Sequence, residues 1–295
     1  MRIYLIGKNG LLGKEFLKAI SGEEGFELFA FDSKTLDLND SAKVCEVFAK
    51  NSPDFVINCA AYTKVDDAED DREAAFRLNA AAADNLARCC KAENAILLHF
   101  STDYVFDGEK GSGYYEDDVP KPISVYGESK LEGEKCVMKQ HVRHFVVRTS
   151  LLFGSGGPNF VDMMKKLASE KDSLKVIDDK VASPTYAKDL ADFCVEFFLR
   201  PFLNPATHKL DLDDEEASER LRPPFGIYHV VNSGACSRFE LVEEIAKIAE
   251  ADVELERVGS NFFAPKAKRP ANSELLSKKI PKLRTWQEAL RAYLI

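Results

Sequence analysis

An excess of basic charge, paired cysteines and long apolar runs are all missing from this 295-residue chain. Forty Lys and Arg stand against 49 Asp and Glu, for a net charge of −9, so a general nucleic-acid binder with a basic face is excluded. An anionic small molecule is not excluded, because a local basic pocket can sit on an acidic protein. The seven cysteines are odd in number and none forms a C-x-x-C pair. That pattern excludes a disulfide framework and implies a reducing, cytoplasmic setting. His141 and His144 are close in sequence, but nothing nearby completes a zinc site, and no metal is expected. The apolar run at residues 1–7 is too short for a signal peptide or a membrane span and reads as a first strand.

What the chain does contain is alternation. Short apolar strands are expected at 2–6, 26–31, 55–59, 95–100 and 145–147. Between the first two, Leu12, Phe16 and Ile20 recur every four residues, which is helical spacing, and an Ala-rich charged stretch at 69–92 also reads as helix. Such alternation implies βαβ units, and strands that are apolar throughout suit a parallel sheet covered on both faces. The fold expected is α/β: a Rossmann-type doubly wound parallel sheet with a smaller α/β substrate-binding lobe. Residues 1–150 and 171–232 are assigned to the dinucleotide-binding domain, with 201–224 as an exposed, acidic insertion; 151–170 and 233–295 are assigned to the second lobe. The breaker cluster at 154–158 marks a crossing between them. Alanine-rich residues 79–90 could pack on the sheet or on a second subunit, which leaves a homodimer open.

The first strand runs into Gly7-Lys8-Asn9-Gly10-Leu11-Leu12-Gly13 and then a helix. Backbone N–H groups at a helix N-terminus can hold a pyrophosphate, and glycine permits the tight turn and the close approach. Asp32, closing the second strand, can accept hydrogen bonds from adenosine ribose hydroxyls and so favours NAD, whereas Lys34 nearby could tolerate a 2′-phosphate. NADPH and NADH therefore both stay open. Tyr126 and Lys130 lie four apart on an expected helix face, where an ammonium would lower a phenol's pKa toward working pH and fit Tyr126 for general acid work. Thr102, at the end of a buried strand, can donate a hydroxyl to the same carbonyl oxygen.

These residues together resemble the extended short-chain dehydrogenase/reductase family, and within it the rhamnose reductase branch. The resemblance is carried by the Gly7-to-Gly13 turn, the stretch from Asn58 to Glu69, Ser101-Thr102-Asp103-Tyr104-Val105-Phe106-Asp107-Gly108, the Tyr126-Gly127-Glu128-Ser129-Lys130 helix start and Arg269-Pro270-Ala271-Asn272-Ser273. It implies hydride transfer from a reduced nicotinamide to C4 of a nucleotide-linked 4-keto sugar, dTDP-4-dehydro-L-rhamnose or a close relative, with Tyr126 supplying the proton and Lys130 holding the nicotinamide ribose. By matching position, Gly10, Leu11 and Leu12 would meet the pyrophosphate, Asp37 and Leu38 the adenine, and Ala60, Ala61 and Tyr62 the length of the cofactor. Thr102, Asp103, Tyr104 and Val105 would line the sugar pocket, and Arg269 would contact the nucleotide part of the substrate. Leu151 departs from the pattern, since members of the branch often carry Trp there. Two other outcomes of the same resemblance are an epimerase or dehydratase that returns its hydride, and a non-catalytic regulatory subunit like that of methionine adenosyltransferase.

Overall fold

The computed structural model describes residues 1–212 and 222–295. Six parallel strands form the central sheet. Five of them are β1 (Arg2–Ile6), β2 (Glu27–Phe31), β3 (Phe55–Asn58), β4 (Ile96–Thr102) and β5 (His144–Thr149). With the strand Gly226–His229 on the far edge, the order is Gly226–His229, β5, β4, β3, β1, β2. The order reverses between β1 and β3, and in open α/β sheets ligands bind in the crevice beyond the strand ends at that switch.

Alternate residues of each strand feed two separate cores. Ile3, Leu5, Ile57, Leu98, Phe145 and Val147 pack with Leu12 and Phe16 of the Leu11–Ile20 helix on one face. Tyr4, Ile6, Val56, Leu97 and Val146 pack with Val44, Phe48 and Leu86 on the other. This period of two, with helices on both sides, is what a doubly wound sheet requires. Each fully buried large side chain contributes roughly 1.5–3 kcal/mol.

The expected 69–92 helix is real but interrupted. Asp71 caps a new helix at Arg72–Phe76, a π-turn follows at Arg77–Ala81, and Ala82–Ala92 completes it. A strand forms at Ser173–Ile177, within the residues assigned to the dinucleotide-binding domain, yet it pairs with Glu254–Val258 and not with the central sheet. It belongs with the Phe160–Glu170, Arg238–Ile248 and Trp286–Leu294 helices, whose apolar faces make two further clusters. The last two of these helices start in reciprocal capping boxes, Ser237 with Glu240 and Thr285 with Glu288. Most of the acidic run from Asp211 to Glu216 lies outside the described residues; its first residue, Asp211, is buried and pairs with Arg222 at 3.0 Å, and Phe202 is buried too, so the described flank of 201–224 is not the wholly exposed insertion expected. Among the described residues no helix is long and apolar enough to cross a membrane.

Candidate active site

Three glycines shape the turn after β1. A Cβ on Gly13 would lie 2.2 Å from the Gly7 carbonyl oxygen, and one on Gly7 would lie 2.8 Å from the Ala60 nitrogen. Gly7 also has φ +84°, a region open to glycine at little cost. The turn is therefore pressed against both its own helix and the Ala60-to-Tyr62 loop. The first helical bond is Lys14 N–H to Gly10 carbonyl, so the N–H groups of Leu11, Leu12 and Gly13 have no partner within the helix. Free N–H groups at a helix N-terminus suit an anion such as pyrophosphate, and any side chain at Gly7 or Gly13 would distort the turn.

Asp32 sits at the end of β2, as expected, with its carboxylate already engaged. It accepts from the backbone N–H groups of Lys34 (3.1 Å) and Thr35 (3.0 Å) and from Asn9 Nδ2 (2.9 Å), with Lys8 Nζ 3.6 Å away. Desolvation works against its charge, but these hydrogen bonds hold the carboxyl down to about 2. Asp37 is exposed and binds Asn39, while Leu38 is buried beside Leu36 and Val44.

The Ala60-to-Tyr62 loop is fixed by an asparagine that sequence reasoning passed over. Asn79, buried in the π-turn, accepts from Tyr62 N–H at 2.8 Å and donates to Tyr62 carbonyl at 3.1 Å and Ser129 Oγ at 2.9 Å. Ser129 in turn donates to the Tyr126 carbonyl at 2.8 Å. One side chain thus ties the loop to the helix of Tyr126. A lone polar residue on an alanine face was the available signal.

Tyr126 and Lys130 share the Val125–Gln140 helix, capped by Ser124. Lys130 is buried, with Nζ 2.6 Å from the Phe100 carbonyl, and desolvation lowers its pKa to about 8 despite the opposing charge of Glu134. The expectation that the ammonium lowers the phenol's pKa is corrected. Burial dominates and raises Tyr126 well above the ordinary value, against a hydrogen bond with Thr102 that pulls the other way. The phenol is therefore protonated at neutral pH, which is the state a general acid must start from.

Thr102 closes β4 and donates to Asp103 Oδ1 at 3.0 Å. The other Asp103 oxygen accepts from Ser150 (2.9 Å) and Ser273 (2.5 Å), so three hydroxyls from three distant segments converge on one buried carboxylate. Burial pushes this carboxyl up, and the three hydroxyls oppose the shift.

Beside this group lies a cavity of about 1250 Å³. Tyr104, Leu151 and Arg269 line it, together with Asp66 and Ser273. Thr102, Asp103 and Val105, expected in its wall, do not line it: all three are buried, and Val105 packs among Phe106, Tyr114 and Leu275. Leu151 holds φ +40°, a costly conformation for a residue with a Cβ, and such strain concentrates at functional sites. Arg269 has its guanidinium clamped on Asp66 through Nη1 (3.1 Å) and Nη2 (2.6 Å). Ala267 N–H also reaches Asp66 at 3.0 Å and Lys266 pairs with Asp70, so this segment fastens the chain's end to the loop after β3.

The sheet order, the glycine cradle and the polar group at the strand ends define a Rossmann-type dinucleotide-binding protein. A family model described as the RmlD substrate binding domain matches residues 1–295. The dTDP-4-dehydrorhamnose reductase of Streptomyces griseus is 34% identical over 98% of this chain and 91% of its own length. The spore coat polysaccharide biosynthesis protein SpsK of Bacillus subtilis is 34% identical over 99% of this chain and 96% of its own. The crystal structure of the Bacillus anthracis dTDP-4-dehydrorhamnose reductase in complex with NADP superposes with a TM-score of 0.87, at 35% identity, covering 99% of this chain and 98% of that one. The chain belongs to the dTDP-4-dehydrorhamnose reductase family.

Proposed function

We propose that the protein reduces the C4 keto group of dTDP-4-dehydro-L-rhamnose, or a closely related nucleotide-linked 4-keto sugar, using NADPH or NADH in the cytoplasm. The observation that carries this reading is the grouping of Tyr126 with buried Lys130 on one helix and of Thr102 on the Asp103 carboxylate, beside a cavity large enough for a nucleotide sugar. Relatives named as reductases, matched over nearly their whole length, favour it over the epimerase and regulatory-subunit readings.

The bound dinucleotide supplies the hydride. The chain's own residues do the rest. The Leu11, Leu12 and Gly13 N–H groups hold the pyrophosphate, and Lys8 and Lys34 beside Asp32 offer cations to a 2′-phosphate. Tyr126 gives its proton to the sugar's C4 oxygen. Thr102 turns its hydrogen from Asp103 to the same oxygen, and Asp103 keeps the Ser150 and Ser273 hydroxyls meanwhile, so the buried carboxylate is never left bare. Lys130 holds the nicotinamide ribose and stabilises the phenolate left on Tyr126. Arg269 and Asp66 hold the central sheet and the second lobe in register around the cavity.

The direct test is absorbance at 340 nm with NADPH or NADH and enzymatically generated dTDP-4-dehydro-L-rhamnose. Sugar-dependent oxidation supports the reading. Binding of cofactor without oxidation in the presence of the sugar counts against it.

A pH profile follows from Lys130. Its charge is present below about 8 and is lost as pH rises through that value, so kcat/KM should fall on an alkaline limb near 8. A profile flat to pH 9.5 would remove the ammonium from the mechanism. For folding the sign is reversed. A lysine whose native pKa lies below the ordinary 10.5 costs stability at neutral pH, and that cost is relieved between about 8 and 10.5.

A further inference from the structure

The cavity is larger than a hexose needs, and its walls are mixed. Met163, Met164 and Phe262 give it apolar surface, while Lys171, Lys175, Lys180, Arg238, Lys268 and Arg269 bring positive charge. The cations are not equivalent. Arg269 is held by both oxygens of Asp66. Lys175 pairs with Glu256 at 3.5 Å, Lys171 and Lys268 are exposed, and Lys180, half-buried, is a point charge without a guanidinium fork.

Arg238 differs from these. It opens the Arg238–Ile248 helix, is half-buried, and lies with its guanidinium carbon 5.3 Å from the centre of the Phe160 ring. Among the described residues it makes no ion pair within 4.0 Å. The positive charge of Arg238 opposes the burial that raises Tyr104 and Asp103, and at Tyr104 the charge of Arg269 does the same. The Tyr104 ring meets the Tyr126 ring edge-on, centroids 5.7 Å apart. In a 4-keto sugar nucleotide the diphosphate hangs from C1, across the ring from C4. With C4 at Tyr126, the diphosphate falls about one sugar ring away, inside the cavity whose wall includes Arg238.

We propose that Arg238 is the residue that grips the substrate's diphosphate, and that Arg269 is not. The proposal rests on the reading of the protein as a nucleotide-sugar reductase. A guanidinium pre-oriented by an aromatic face and lacking a carboxylate partner presents its fork to phosphate oxygens at little ordering cost. The pocket thereby selects nucleoside diphosphates over nucleosides.

Calorimetric titration of the full chain, saturated with NADPH, tests this with dTDP, dTMP and thymidine as probes. Wild type should bind dTDP more tightly than thymidine. Arg238→Met should weaken dTDP roughly 10- to 100-fold, with thymidine and NADPH affinities unchanged. Arg238→Lys, which keeps charge but not the fork, should fall between and decides the matter if the Met variant fails to bind NADPH. Equal dTDP affinity in wild type and in a variant that binds NADPH overturns the assignment. Failure of wild type to bind dTDP while it binds NADPH overturns the nucleotide-sugar reading beneath it.

Discussion

Replacing Tyr126 by Phe should lower kcat on the order of 10²–10⁴-fold while leaving the dissociation constant for NADPH nearly intact. The substitution removes one oxygen and keeps the ring, so the edge-on contact with Tyr104 survives. Ser129 and Asn79 bind backbone and Ser129 atoms, not the phenol, so the helix stays tied to the Ala60-to-Tyr62 loop. What disappears is the proton for the developing alkoxide. Thr102 remains as a donor, which sets the floor of residual activity above zero. Single-turnover kinetics with pre-bound NADPH isolates this step. Turnover within about threefold of wild type would take Tyr126 out of its role.

The second large effect concerns stability. Arg148 and Glu134 form a bidentate pair, Nε to Oε1 at 2.9 Å and Nη2 to Oε2 at 2.7 Å, with side chains 1% and 0% exposed. The Arg148 guanidinium also lies 5.1 Å from the Phe106 ring centre and 3.4 Å from His229 Nε2. Burial, with the Arg148 charge beside it, lowers the His229 pKa to about 4, so at neutral pH that ring nitrogen is free to accept. Arg148→Met strands Glu134 in the interior and should cost about 3–5 kcal/mol in denaturant unfolding. Arg148→Met combined with Glu134→Leu should recover much of the loss, because the desolvated carboxylate is then gone. A loss under about 1 kcal/mol in the single variant would mean that water or a rearranged partner reaches Glu134. Glu134→Gln has a further signature. The Glu134 charge raises Lys130, so its removal should move the alkaline limb of activity to lower pH.

Local periodicity carried much of this architecture. Leu12, Phe16 and Ile20 announced the first helix, and the apolar runs announced β1 to β5, because burial on two faces writes itself into adjacent residues. The glycine turn was legible for the same reason: its cause lies within seven residues. Pairings across the chain were not. Nothing in the sequence near 175 says that Ser173–Ile177 will join Glu254–Val258 rather than the central sheet, since a short apolar run does not name its neighbour. Arg269 stood out inside a motif and Arg238 did not, yet only the three-dimensional arrangement shows that the first is engaged by Asp66 and the second lies against the Phe160 ring in the cavity wall. The Tyr126 phenol teaches the same lesson in electrostatics. Spacing to Lys130 could be read off, but the desolvation that outweighs it depends on everything packed around the ring.

The knot of hydroxyls on Asp103 bears on how the protein comes into being at the ribosome. Ser273 follows Asp103 by 170 residues, and it supplies one of the three bonds that orient the carboxylate behind Thr102. The helix behind the glycine cradle packs on Ala187, Leu190 and Cys194, all made before Ser273, so the substrate bench receives its last strut after the cradle has its backing. The same tie limits recombination between relatives: exchanging the second half of the chain without matching Ser273 to Ser150 and Asp103 would yield hybrids that keep coenzyme affinity and lose turnover.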